Sequence, residues 1–150
     1  MSLLPLVSHA DGCASSFQTH LRESFPALSA LYTQDARVAE AALDIFRETL
    51  AKLQKDVDDL AELVYRVDAW TSEARGMSVG QDPQQALQHV GGLVDMYQTE
   101  LLNKREALAD FTCEEINLSE FEKRWKDTSE IEAGKKQTMD DLADMLASFG

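Results

Sequence analysis

An all-α chain built on long helices is the fold class this sequence predicts, and three observations carry the prediction. From Tyr32 to Ala74, apolar or small residues recur at alternating steps of four and three: Tyr32, Ala36, Ala39, Leu43, Phe46, Leu50, Leu53, Val57, Leu60, Val64, Val67, Thr71 and Ala74. That heptad seam runs through about six repeats without a proline or glycine, which predicts a helix about 65 Å long. Finally, no run alternates apolar and polar residues as a strand does, and Asp11-Gly12 lacks flanking strands that would make it a hairpin turn. A narrow apolar stripe on so long a helix requires partner helices. The expected architecture is a long antiparallel helical hairpin, an elongated coiled-coil-like bundle, with shorter helices flanking it.

Residues 1–8 read as an apolar lead-in. From about Asp11, Cys13, Phe17 and Leu21 step by four beside Ala10 and Ala14, which predicts a first helix ending near Ser24. Pro26 suits a first helical turn, with Ser24 or Phe25 as the cap, so the long helix is expected from about Pro26 to about Arg75. Leu63 and Trp70 flank its seam and Tyr65 lies further round, a widening that predicts more than one partner helix there. Glu40, Asp44, Glu48, Lys52, Lys55, Asp59, Glu62 and Arg66 form its solvated face.

Gly76 and Gly80 mark the clearest break, and Asp82, Pro83 and Gln85 read as the cap and first turn of a helix returning antiparallel. Its seam is Leu87, Val90, Val94, Tyr97, Leu101, Leu108 and Phe111, interrupted by Lys104 alone. Gly91-Gly92 costs about 1 kcal/mol per glycine in a helix, which predicts a close backbone approach there, beside Trp70 or Tyr65. Asn117 with Glu120 reads as an N-cap, Ile116 and Phe121 as its hydrophobic staple, and Leu118, Phe121 and Trp125 share one face. Periodicity weakens over Thr128–Gln137, around Gly134. It resumes as Met139, Leu142, Leu146 and Phe149, a short terminal helix. The chain reads as one domain over 1–150, with the hairpin at about 26–112 and a terminal segment at about 117–149.

Composition narrows the function classes. The 27 acidic against 14 basic residues give a formal charge of −13, which disfavours nucleic acid and anionic lipid and favours basic protein partners. Cys13 and Cys113 lie far apart and in no metal-binding pattern, the usage of reduced thiols in a nuclear or cytoplasmic protein. The opening residues lack the basic region of a signal peptide, and no 18-residue uncharged apolar run occurs. His9, His20 and His89 fall on separate segments without local partners. Asp56, Asp58, Asp59 and Glu62 do not share one helix face and lack calcium-loop geometry, so they read as solvated acids, and the mixed charges around Lys123, Arg124 and Lys126 as a polar face. No phosphate loop, nucleophile elbow or zinc-protease motif is present. No catalytic residue, metal ligand or cofactor is expected.

One segment is more individual: Met96-Tyr97, then Glu100-Leu101, then Lys104-Arg105, within Val94–Arg105. It resembles the signature of the cyclin-dependent-kinase-2-interacting protein family, CINP. The similarity extends loosely over about residues 43–130, through the leucine-repeat helix before it and the Trp125-bearing helix after it. The family's Trp-Pro-containing approach to this helix is replaced here by Gly80-Gln-Asp-Pro. The resemblance implies a non-catalytic adaptor linked to cyclin-dependent and replication-licensing kinases, to checkpoint signalling, and to an AAA+ ATPase assembly of chromatin and ribosome maturation. In that assembly the family member pairs with another small helical subunit. Met96, Tyr97, Glu100, Leu101, Lys104, Arg105 and Trp125 are then the expected partner-binding residues, Lys104 and Arg105 suiting a polar contact; the competing reading, preferred for Tyr97 and Leu101, makes Met96, Tyr97 and Leu101 core residues and lets Lys104 snorkel. A structural coiled-coil subunit of a cytoskeletal, kinetochore or tethering complex is the alternative function.

Overall fold

The computed structural model describes residues 3–73 and 82–147, and these form α1 (Leu3–Glu23), α2 (Pro26–Ala30), α3 (Ala36–Glu73), α4 (Asp82–Thr112), α5 (Leu118–Lys126) and α6 (Ser129–Ala147). No strand occurs among the described residues, so the all-α prediction holds. At 38 and 31 residues, α3 and α4 are about 57 and 46 Å long. The expected break at Gly76–Gly80 lies outside the described residues. So do Ala74 and Phe149 and the side chains of Val67, Trp70, Thr71, Pro83, Gln85, Leu87, Leu142 and Leu146.

Three expected boundaries move. Helix α1 begins by Leu3 rather than near Asp11, continuing through Gly12. The helix starting at Pro26 ends at Ala30, and the long helix starts afresh at Ala36. Asp35 is responsible: its Oδ1 accepts from Arg37 N at 2.9 Å and its carbonyl from Ala39 N at 3.0 Å, the two bonds of an N-cap. Tyr32 and Ala36, placed in the seam by sequence, are therefore exposed. Helix α6 starts at Ser129, within the stretch of weak periodicity, because Asp127 Oδ1 accepts from both Ser129 N and Ser129 Oγ.

The other junctions follow local chemistry. Asn117 is the expected cap of α5, its Oδ1 accepting from Glu120 N at 2.8 Å, with Phe121 buried and Ile116 packed on the core. Helix α4 ends in a Schellman turn: Glu114, at φ 61°, donates to Phe111 O, and Glu115 donates to Asp110 O.

Among the described side chains of α3, Ala42, Phe46, Thr49, Leu53, Asp56, Val57, Leu60 and Leu63 are buried, whereas Leu43, Leu50 and Val64 are half-buried. The line of deepest burial thus lies about one residue to the side of the expected seam. A seam supposes one partner, but α3 packs against α1, α2 and α4, and burial is deepest between neighbours. Helix α6 covers α4 and α1, and α5 lies on α4. One core cluster runs through all six helices, with Phe46, Phe121 and Trp125 in mutual aromatic contact and Phe111 stacked on Phe121.

Gly91 and Gly92 do not meet a neighbour: a Cβ at either would find nothing within 4 Å. Tyr65, expected beside them, is 75% exposed. The close approach is at Gly134 instead, where a Cβ would run into Met96 Sδ, so that glycine seats α6 on α4.

Candidate functional site

Lys104 lies one turn after Glu100 on α4, which puts both on the buried face. Its ammonium donates to Glu100 Oε1 at 2.7 Å, Arg124 O at 2.7 Å and Asp127 O at 2.6 Å. Three N–H donors meet three acceptors, and two of these are carbonyls that the end of α5 leaves without helical partners. A cation at a helix C-terminus is also favoured by the helix dipole. Lys104 therefore does not snorkel; with 1% exposure it is among the most buried side chains of the chain. A polar cavity of about 200 Å³ opens beside it, lined by Glu100, Asn103, Lys104, Arg124, Asp127 and Glu130. Arg124 Nη1 is held by Asp110 Oδ2 at 3.0 Å. Hydrogen bonds from the Ser129 hydroxyl and backbone N–H hold the Asp127 carboxyl below its usual range.

A second polar cluster joins α1 to α3. Asp56 is buried, not part of a solvated acidic face, and it accepts from Ser16 Oγ at 2.9 Å and from His20 Nδ1 at 2.5 Å. His20 thus has a partner after all, brought from another helix. The residue types are those of a hydrolase triad, but the order of bonds is not: Ser16 donates to the carboxylate, and no nucleophile is bonded to the imidazole. The cluster ties two helices together. Beside it, burial pushes the Cys13 thiol above its usual range, reinforced by Asp59 and Asp56, and neither cysteine forms a disulfide. Among the described residues no group of three or more His, Cys, Asp or Glu side chains could hold a metal ion, and no helix is long and apolar enough to cross a membrane.

The residues expected to bind a partner divide sharply. Tyr97, Glu100, Leu101, Lys104 and Trp125 are buried, Met96 is half-buried under Gly134, and Arg105 is exposed. Trp125 Nε1 donates to Ser24 Oγ at 2.8 Å, which donates in turn to Leu21 O, locking α5 onto the end of α1. Phe17 packs edge-on against Tyr97, whose hydroxyl is buried without a hydrogen-bond partner among the described residues. Burial, then Asp11, Glu100 and Glu132, push that phenol well above its usual range. Arg105 reaches Gln54 of α3 at 2.7 Å. In this conformation the five buried side chains offer a partner almost no surface. The surface free for contact is elsewhere: Val38 and Ile45 on α3 flank an apolar groove, and Tyr65 and Leu102 stand out in solvent. Sequence reasoning missed the groove because its floor is alanine, which carries no hydrophobic emphasis in a heptad. The break before Ala36, signalled by Asp35, is what exposes it.

Comparison of the chain with protein-family models, with curated proteins and with solved structures yields no match.

Proposed function

We propose that the chain is a non-catalytic helical adaptor of the CINP type. Its helices pair with a second small helical protein in a nuclear AAA+ ATPase assembly of ribosome maturation, chromatin and replication, with links to cyclin-dependent kinase and checkpoint pathways. The observation that carries the reading is the surface of α3, which leaves Val38, Ile45 and Tyr65 exposed along its length while α4 adds Leu102 and Arg105. Exposed apolar side chains along long helices are what a helical partner covers. Within this reading α3 and α4 form a long antiparallel hairpin, supported by the Arg105–Gln54 contact and by the few residues between the two helices. The residues of the Met96–Arg105 motif then act mainly by shaping the hairpin, and Arg105 touches the partner directly.

The test is affinity purification of the tagged chain from its own cells, read by mass spectrometry. Stoichiometric AAA+ ATPase subunits with a small helical protein are the expected result. Recovery of long-helix proteins alone, without an ATPase, would replace this reading with a structural coiled-coil subunit.

A further inference from the structure

The groove between α2 and the start of α3 is built for one kind of occupant. Ala27, Ala30, Ala41 and Ala42 make its floor, Val38 and Ile45 its walls, and Arg37 closes one edge, around a volume of about 340 Å³. A floor of four alanines lets a helix come close, and a volume of that size receives two or three large apolar side chains. Apart from Arg37 no charged or hydrogen-bonding side chain lines it, as one would to orient a small polar ligand.

Its borders are electrostatically uneven. Glu40, Asp44 and Glu48 follow one another at four-residue spacing along the exposed side of α3, next to Ala41 and Ile45. A single guanidinium, Arg47, serves both Glu40 and Asp44, and Glu48 has no ion-pair partner among the described residues. The α2 border, Pro26–Ala30, carries no charge at all. A second copy of the chain would bring an identical acidic row and a formal charge of −13 to this face, and like charges across an interface oppose pairing.

We propose that this groove docks an amphipathic helix of a different protein. That helix lays large aliphatic or aromatic side chains onto the alanine floor and sets Lys or Arg, one turn apart, against the Glu40–Asp44–Glu48 row. The proposal rests on the adaptor reading and names the site and the chemistry of its partner.

A photo-cross-linking phenylalanine analogue at Ser29, on the uncharged α2 border and off the alanine floor, in the full-length chain expressed in its own cells, reads out the occupant. Ser29 is exposed, so folding and the groove are preserved, which circular dichroism and melting verify. The expected cross-link joins Ser29 to a helix-forming segment of another protein with a basic flank. A synthetic peptide of that segment should bind the purified wild-type chain. Its affinity should fall at least tenfold with Glu40→Lys, Asp44→Lys and Glu48→Lys combined, and the difference should shrink as salt is raised. A cross-link to a second copy, or to a segment that is acidic or not helical, overturns the proposal. Partners that co-purify without cross-linking overturn the groove and leave the adaptor reading standing. Failure of the wild-type chain to recover any partner overturns both.

Discussion

Lys104 and Asp56 are both charged side chains on the buried face of a long helix, but they reach the interior by different routes. Lys104 carries its counter-ion on its own helix, Glu100 one turn earlier, and completes its bonding with carbonyls at the end of α5. Asp56 has no such companion on α3; Ser16 and His20 come from α1, 40 and 36 positions earlier in the chain. Lys104 and Glu100 keep only 2% and 7% of their side chains in solvent, whereas His20 keeps 30%. A charge with local and distant partners can be buried outright, while one with distant partners only is buried as long as the other helix stays docked.

The difference predicts unequal penalties. Lys104→Ala strands Glu100 in the interior and unbinds two carbonyls, so urea unfolding should show a loss of about 3–5 kcal/mol. Lys104→Met with Glu100→Leu removes both charges and should recover most of that loss, because an apolar pair has no charge to desolvate. Asp56→Ala should cost less, about 1–3 kcal/mol, since Ser16 and His20 can turn to water. Protection from hydrogen exchange should fall first in α1. Equal losses for Lys104→Ala and Asp56→Ala would erase the distinction between the two sites.

The same contrast explains what was legible in sequence. The Asn117 cap and the Phe121–Trp125 face are local, and each appears where the spacing placed it, whereas the heptad steps marked the long helix but set its buried line about one residue off. Lys104 was visible as an interruption, but its acceptors at Arg124 and Asp127 follow by 20 and 23 residues and leave no trace in helix periodicity. Asp56 stood beside Asp58 and Asp59 and read as solvated; only the packing of α1 shows it is not. The candidate site suffered most. A signature segment shows which residues stand out, not whether they face a partner or the core, and five of seven turn inward. The exposed groove depended on Asp35 starting α3 afresh, a cap signal that the apolar repeat running through it concealed.

Two glycine sites on helices sharpen the comparison further. Gly134 has the Met96 thioether where its side chain would be, so Gly134→Ala should gain less than the about 1 kcal/mol that helix propensity alone would give, because that flexible side chain has to swing aside. Met96→Ala in the same chain should relieve most of that specific penalty, and a double-mutant cycle measures the coupling. At Gly92 the surroundings are open, and Gly92→Ala should raise stability by about 1 kcal/mol, seen as a higher melting temperature. A loss there would mean that a neighbour does approach the glycine pair.

Two tyrosines give the smallest effect at neutral pH and the cleanest sign. Tyr32 and Tyr97 both hold their protons above the usual phenol range, for opposite reasons. The Tyr32 hydroxyl donates to Glu122 Oε2 at 2.5 Å on the surface, and that bond is the main cause of its shift. Tyr97 is raised mainly by burial, with no hydrogen bond to its hydroxyl from the described residues. A folded-state pKa above the unfolded value contributes stability that is complete below the unfolded pKa, about 10 for tyrosine, and lost as pH rises through the folded one. Tyr97→Phe removes both the orphan hydroxyl and the ionisation. At pH 7 it should leave stability unchanged or raise it by about 1 kcal/mol. Above pH 10, where the unfolded phenol of the wild type ionises and the folded one resists, the variant should lose less stability. Urea midpoints at pH 7 and pH 10.5 decide the matter. A lower midpoint for Tyr97→Phe at pH 7 would show that the hydroxyl has a partner, and a parallel decline of both chains at high pH would place the alkaline sensitivity elsewhere.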